Sequence, residues 1–218
     1  MGAELILVPA LPYSDPGNYI RTSGTIAKER GGYWANQFDN IANKMAHVEG
    51  TAQEIWRQTD QSVDYFVSAI GTGGTISGTS EGLKSKNKNI KVICSDPPGS
   101  GMFSWIKNGE PKAEGNSITE GIGQSRITLN LKNSLIDDAV QVSDEEALNV
   151  IYNLLQKEGL SLGPSSGVNI AGSIKLGKKV GPGKIIVTIL CDYGIRYSSK
   201  IYNIEFLKSK NLPIPGWL

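Results

Sequence analysis

The chain has 218 residues, of which 39% are hydrophobic and 20% are charged. This composition is enough for one large domain with a buried core, and it excludes an intrinsically disordered chain. The formal net charge of +1 provides no basic surface for nucleic acid, and no apolar run is long enough to cross a bilayer. We therefore expect neither a nucleic-acid partner nor a membrane partner.

The first part of the chain predicts strands separated by helices. In chain order, the predicted elements are a buried strand over Glu4–Ala10, a helix over Ile20–Arg30, a short strand over Tyr33–Phe38, a helix over about Asn40–Thr59 and a strand over Val63–Ile70. Gly31 and Gly32 are expected to end the first helix. The continuous apolar run VDYFVSAI is typical of a parallel strand covered by helices on both faces.

The rest of the chain continues the same alternation. A glycine loop leads into a helix ending near Lys84, and then come a strand over Ile90–Asp96, a long loop with short helices from Pro97 to about Leu135, a strand over Ala139–Val142, a helix over Asp144–Glu158, a helix ending near Lys179 and a strand over Ile185–Asp192. Strands that alternate with helices are typical of α/β proteins. The predicted fold class is therefore α/β, with a mostly parallel sheet flanked by helices.

The only two cysteines, Cys94 and Cys191, both lie in apolar runs. Two isolated cysteines in a chain of this length do not form a disulfide framework, so we interpret both as buried, reduced thiols. This interpretation favours the cytoplasm, with a reducing organelle such as the mitochondrion as the other possibility. No cluster of Cys, His and Asp has metal-ligand spacing, so no metal site is expected.

A glycine loop, Ile70-Gly-Thr-Gly-Gly-Thr75, lies between a predicted strand and a predicted helix. In that position, backbone N–H groups and the helix N-terminus can hold a phosphate. The dinucleotide motif fails because Ile76 replaces its third glycine, and the P-loop motif fails because Thr79 replaces its lysine. A phosphate site of another kind is predicted, and the alternative is a purely structural glycine turn.

The segment Gly163-Pro-Ser-Ser-Gly167 matches the G-x-S-x-G pattern of α/β-hydrolases. That catalytic triad needs a histidine after the serine, but the only histidine is His47, far upstream on a predicted helix. The pattern is therefore not interpreted as a hydrolase site. His47 itself is interpreted as a packing or capping residue rather than as a catalyst.

Seven segments carry a more specific pattern. They are WANQFDNIAN (34–43), AHVEGTAQEIW (46–56), DYFVSAIGTGGTISG (64–78), VICSDPPGSG (92–101), ITEGIG (118–123), LGPSSGVNIA (162–171) and IVTILCDYGIRYSSK (186–200). Together they resemble the cysteine synthases and their cystathionine β-synthase relatives, which are fold-type-II enzymes dependent on pyridoxal 5'-phosphate (PLP). The resemblance implies a remnant of a smaller N-terminal domain in residues 1–40 and a PLP-phosphate-binding domain in residues 41–218.

The resemblance also implies a role for individual residues. The cup for the cofactor phosphate would be formed by Gly71, Thr72, Gly73, Gly74 and Thr75. Ser165 would hydrogen-bond the pyridine nitrogen, Gln37 would lie near the substrate carboxylate, and Gly121 would line the mouth of the site. Asp192 and Tyr197 match positions near the ring and the serine.

In the family that this chain resembles, a lysine holds PLP as a Schiff base within a motif similar to N-P-x-G-S-x-K-D-R. A second motif, Ser/Thr-Gly-Asn-Thr-Gly, grips the substrate carboxylate. Neither string occurs in these 218 residues, and Lys44, Lys84 and Lys200 are interpreted as solvated helix charges. No catalytic residue is therefore assigned, and the chain is expected to be inactive alone.

The resemblance implies β-replacement on O-acetylserine, or on a related activated serine, with sulfide to give cysteine. The intact family members are expected to be homodimers that act on a small amino-acid substrate. Two hypotheses follow. The chain is either a truncated form of a working enzyme, or a non-catalytic truncated paralogue or partner subunit that binds the PLP phosphate weakly or not at all.

Overall fold

The computed structural model describes residues 2–218 and contains one parallel sheet within them. Its strands are β1 (Tyr65–Ser68), β2 (Lys91–Asp96), β3 (Asp138–Gln141) and β4 (Ile186–Thr188), in the spatial order β3-β2-β1-β4. Tyr65 pairs with Lys91 of β2 and with Ile186 of β4, which fixes the register around the central strand. The predicted α/β class with a parallel sheet is confirmed.

Helices connect the strands and cover the sheet. They are α1 (Tyr19–Glu29), α2 (Ala42–Ala46), α3 (Ala52–Gln58), α4 (Gly74–Lys86), α5 (Met102–Asn108), α6 (Asp144–Glu158), α7 (Pro164–Val180), α8 (Ser198–Ile201) and α9 (Ile204–Ser209). The helix predicted over Asn40–Thr59 is present, but a π turn over His47–Thr51 joins α2 to α3. Short 3-10 turns cover Leu129–Leu131 and Gly194–Tyr197. No helix within residues 2–218 is both long enough and apolar enough to cross a membrane.

Successive side chains of β1 face opposite sides of the sheet, and both sides are buried. Phe66 packs in a core with Ile76 of α4, whereas Val67 packs on the other side with Ile93 of β2 and Leu176 of α7. Because helices cover both faces, both sets of strand side chains leave water. The unbroken apolar run in the sequence is thereby explained.

Two predicted strands in the first forty residues are wrong. The segment Glu4–Ala10 forms no strand, and the side chains of Leu5 and Leu7 are 78% and 84% exposed. A strand needs a hydrogen-bonded neighbour, and no other strand within residues 2–218 pairs with this segment. Tyr33–Phe38 is irregular because Asn36 has a φ of 42°, in the left-handed region that ends extended structure.

The last predicted strand is shorter than expected, and this changes the environment of one cysteine. Only Ile186–Thr188 of the predicted range Ile185–Asp192 pairs in the sheet, and the following residues turn towards a cavity. Cys94 is fully buried as predicted, and burial raises the pKa of its thiol well above the ordinary value. Cys191 is exposed, so the prediction that it is buried is wrong.

Asp137 ties α4 to the sheet. Its carboxylate accepts hydrogen bonds from Lys84 Nζ at 2.5 Å, Lys91 Nζ at 3.0 Å and the backbone N–H of Val92 at 2.8 Å. Partial burial alone would raise its pKa, but the bonds from Lys84, Val92 and Lys91 outweigh burial and hold the pKa below 3.8. The ionised carboxylate therefore stabilises the folded state.

The Asp137→Asn variant is expected to lower the free energy of unfolding at pH 7 by about 1–2 kcal/mol, because charged hydrogen bonds to a partly exposed group are lost. A folded-state pKa below the unfolded value means that this contribution is complete above pH 3.8 and disappears as the pH falls through the folded value. Urea denaturation at several pH values measures the difference. Asp60→Asn, at an exposed turn residue, is the control, and an equal change in both variants would contradict the prediction.

Candidate active site

A cavity of about 360 Å³ lies at the carboxyl ends of β1 and β4. Ligands of open α/β sheets bind at this edge, because the loops that follow the strands converge there. The lining residues come from the loop after β1, the long loop before β3, the start of α7 and the segment after β4. They are Ser68, Ala69, Gly71, Thr72, Gly73, Thr75, Ile76, Glu120, Gly121, Ile122, Ser165, Ile189, Cys191, Asp192, Arg196 and Tyr197.

The glycine loop needs its glycines because other chain segments touch it. Gly73 is the N-cap of α4 with a φ of 87°, and a Cβ there would lie 2.4 Å from Leu131 Cγ. A Cβ on Gly71 would lie 2.4 Å from the carbonyl oxygen of Gly121. Side chains at these two positions would push the backbone away from the cavity, so the loop can close around a small group only with glycine.

The cavity wall is suited to an anion. The 13-residue helix α4 and the 17-residue helix α7 both begin at it, and neither has an acidic residue in its first turn. Helix N-termini carry unpaired N–H groups and partial positive charge, which favour a phosphate. Thr72 and Thr75 also line the cavity, and their hydroxyls can supply further donors.

A serine and a carboxylate also line the cavity. Ser165, only 5% exposed, follows Pro164 in the first turn of α7, where proline is favoured because its missing N–H is not needed. Tyr197 donates a hydrogen bond of 2.6 Å to Asp192 Oδ2. Burial, together with this bond and the carboxylate charge, raises the pKa of Tyr197 to about 12, so it remains a neutral donor.

Asp192 offers an unused acceptor at the cavity. Its Oδ1 is buried and has no hydrogen-bond partner within residues 2–218. A buried carboxylate oxygen without a partner is costly, and a donor group of a bound ligand would satisfy it. Gly163 lies against this oxygen, since a Cβ on Gly163 would be 2.2 Å from it.

Charged side chains of both signs line the cavity or pair with residues that line it. Lys200 Nζ lies 2.5 Å from Glu120 Oε1, and the guanidinium of Arg196 lies 3.7 Å from Asp192 Oδ2. Arg196 is 71% exposed. An amino acid carries both an ammonium and a carboxylate, so a mouth with charges of both signs suits it.

Most of the site residues implied by the resemblance meet at this cavity. Gly71, Thr72, Gly73, Thr75, Gly121, Ser165, Asp192 and Tyr197 all line it. Gly74 does not: it is buried behind the loop, where its N–H donates to Thr72 Oγ1 at 3.3 Å. Gln37 is also outside the lining; its side chain is exposed, and its backbone oxygen accepts bonds from Asn43 and Asn130.

The three lysines interpreted as solvated charges are in fact paired. Lys44 contacts Glu81, and its side chain is only 16% exposed, as is that of Lys84. Their aliphatic stems therefore pack on the surface of the fold while their ammonium groups remain paired.

Several residues of the site were not singled out from the sequence. Ser68 ends β1, and Ile189 and Cys191 follow β4, so all three line the cavity; this positional signal was already available from the strand predictions. Asn169, in the middle of α7, was also missed. Its amide receives the N–H of Ala69 at 2.6 Å and donates to the carbonyl of Ile189 at 2.8 Å, and so joins two segments of the cavity wall.

Comparison with known proteins identifies the family of the chain. The chain is 43% identical to cysteine synthase 1 of Neurospora crassa, covering 97% of this chain and 58% of that protein. It is 41% identical to cysteine synthase 1 of Emericella nidulans and to cysteine synthase 2 of Schizosaccharomyces pombe, with 97% of this chain and 59% of each relative covered. The chain thus spans about three fifths of the length of these relatives. The family model for pyridoxal-phosphate-dependent enzymes matches residues 1–192, and the chain therefore belongs to that family.

Proposed function

We propose that the protein serves cysteine biosynthesis as a cysteine synthase-type enzyme. The reaction is replacement at the β-carbon of O-acetylserine, or a related activated serine. Sulfide forms the C–S bond, the C–O bond breaks, and the ester group leaves as a carboxylate, which is acetate for O-acetylserine. The observation that carries this proposal is the cavity formed by the glycine loop, Ser165 and Asp192. The relatives are named cysteine synthases, which supports cysteine as the product.

The residues present fit PLP. The glycine loop and the hydroxyls of Thr72 and Thr75 suit its phosphate, and the neutral hydroxyl of Ser165 suits its pyridine nitrogen. When bound, PLP supplies an electron-withdrawing ring that stabilises negative charge at the α-carbon of an amino acid. A hydroxyl partner leaves that ring less electron-withdrawing than a carboxylate partner would, which suits β-elimination and replacement.

The chain's own residues orient the reactants. The buried acceptor Asp192 Oδ1 would receive a ligand hydrogen, while Tyr197 holds the other oxygen of that carboxylate in place. Gly121 leaves the mouth open beside the glycine loop, and we assign the substrate to this side. Gln37 stays a proposed substrate-carboxylate residue, whose side chain would have to turn from solvent towards the site.

The organisation of the intact enzyme is a further part of the proposal. All residues that line the cavity belong to the proposed domain 41–218, and residues 1–40 are assigned to the smaller domain. We propose a homodimer, as the resemblance implies. The two unpaired cysteines support a cytoplasmic location, with the mitochondrion as the alternative.

Titration calorimetry with two analogues that cannot react with lysine tests the cofactor site. Pyridoxine 5'-phosphate is expected to bind roughly 100-fold more tightly than pyridoxine, because two or more charge-assisted hydrogen bonds to the phosphate are lost in pyridoxine. Equal affinities would contradict the assignment of the glycine loop to phosphate. No saturable binding of either would favour the non-catalytic paralogue or partner subunit.

Cysteine formation from O-acetylserine and sulfide, with PLP present, tests the reaction. These 218 residues on their own are expected to give no turnover, and borohydride reduction should attach PLP to no single lysine. Turnover together with one labelled lysine would support the reaction and would contradict the expectation that the chain is inactive alone.

A further inference from the structure

The helical segment formed by α2, the π turn and α3 packs directly against the backbone of α4. Glycines four residues apart on α4 make this possible. A Cβ on Gly78 would lie 2.2 Å from the carbonyl oxygen of Lys44, and a Cβ on Gly82 would lie 2.4 Å from Ala52 Cβ. Because the two helical segments touch at this distance, side chains of the first segment reach the glycine loop at the start of α4.

Asn43 is the first of these side chains. Its Nδ2 donates to Thr72 Oγ1 at 2.9 Å and to the backbone oxygen of Gln37 at 2.8 Å. The carbonyl of Gln37 can only accept, so the amide orientation is fixed with nitrogen towards Thr72. The Thr72 oxygen also accepts the N–H of Gly74 at 3.3 Å. With both acceptor sites of this hydroxyl used, its hydrogen is left for a group in the cavity.

His47 is the second side chain of this helical segment that reaches the glycine loop. Its Nε2 lies 3.2 Å from Thr75 Oγ1, and its Nδ1 lies 2.9 Å from Thr51 Oγ1. Partial burial lowers the pKa of His47, so the ring is neutral at pH 7 and carries one N–H. If the proton is on Nε2, Thr75 accepts from the ring and its own hydrogen faces the cavity. If the proton is on Nδ1, Thr75 must donate to the ring and can only accept from the cavity.

We propose that Asn43 and His47 are positioning residues that keep the Thr72 and Thr75 hydroxyls as donors towards a bound phosphate. Neither residue lines the cavity, and both act through the threonine that each contacts. The inference rests on the proposed function, because it requires a phosphate group at the glycine loop. It also gives the only histidine of the chain a role other than packing or capping.

Nuclear magnetic resonance can measure the tautomer of His47 directly. Since the chain has one histidine, long-range ¹H–¹⁵N spectra of the imidazole need no assignment. The expected result is the Nε2–H tautomer in the free protein, with a shift of its nitrogen signals on saturation with pyridoxine 5'-phosphate. An Nδ1–H tautomer in the free protein would overturn the role of His47 whether or not the ligand binds.

Two substitutions separate positioning from packing. His47→Gln keeps an N–H near the position of Nε2, whereas His47→Asn has its amide near the position of Nδ1 and cannot reach Thr75. Calorimetry with pyridoxine 5'-phosphate should give near wild-type affinity for the glutamine variant and roughly tenfold weaker binding for the asparagine variant. Equal affinity of the two variants would overturn the proposal while leaving phosphate binding itself intact.

An Asn43 variant and a double-mutant cycle between His47 and Thr75 test the proposal further. Asn43→Ala should weaken binding of the same probe roughly tenfold, because the Thr72 hydroxyl is freed to turn. His47→Asn should have no further effect in a Thr75→Val background, since the histidine acts only through that hydroxyl. Additive losses in the cycle would mean that His47 acts through the general fold, which would contradict its assigned role.

Discussion

Gly73→Ala is expected to lower the affinity for pyridoxine 5'-phosphate by roughly 10- to 100-fold, the loss of one hydrogen bond to a charged group. The added methyl group meets two obstacles. The φ of 87° is unfavourable for alanine, and the Cβ would lie 2.4 Å from Leu131 Cγ. The loop must move to relieve both, and its N–H groups then no longer converge on the cavity.

A matched control isolates the effect of the cavity. Gly109 ends α5 with a φ of 85° and a ψ of −8°, nearly the backbone of Gly73, but no atom lies within 4 Å of a Cβ there. Gly109→Ala should cost a similar backbone strain and leave affinity unchanged. Adding Leu131→Ala to Gly73→Ala should recover part of the affinity. Equal losses from the two glycine variants would mean that general destabilisation is the cause.

Asn169→Ala is expected to have the largest effect on stability, a loss of about 2–5 kcal/mol in the free energy of unfolding. Asn169 is 1% exposed, and two of its side-chain bonds satisfy the N–H of Ala69 and the carbonyl of Ile189. Truncation leaves both backbone groups without their partner. Because a domain is stable by only about 5–15 kcal/mol, such a loss is readily measured by urea denaturation.

Asn153→Ala is the control for this variant, since that asparagine is exposed and bonds only to the preceding turn of α6. Asn169→Asp keeps an acceptor for the Ala69 N–H but faces the Ile189 carbonyl with a second acceptor, so it should not restore stability. A loss below about 0.5 kcal/mol for Asn169→Ala would show that water replaces both bonds.

The elements predicted well are those specified by local sequence. The helix Asp144–Glu158 was predicted with its observed bounds, because its acidic first turn and the glycine after its last residue are readable in the sequence. Ser143 and Glu146 form a capping box at its start. The central strands were predicted from their continuous apolar runs, because a strand covered by helices on both faces has apolar side chains on both.

The elements predicted poorly depend on partners elsewhere in the chain. Glu4–Ala10 has the composition of a strand, but strand formation needs a neighbour that composition does not specify. The glycine loop was predicted to be a phosphate site from its residues, and the predictions for Ser165 and Gly121 came from the family resemblance. The contacts of Asn43 and Asn169 could not be predicted, because each spans elements far apart in sequence.

The π turn between α2 and α3 makes the site sensitive to the length of the chain as well as to its residues. A π turn holds one residue more than an α-helical turn. Here the Ala52 N–H donates to the carbonyl of His47, five residues earlier instead of four. Deleting one residue from it would restore α-helical spacing and rotate everything before it by about 100° about the helix axis. Asn43 would then face away from Thr72, so we expect insertions and deletions here to be tolerated far less than substitutions.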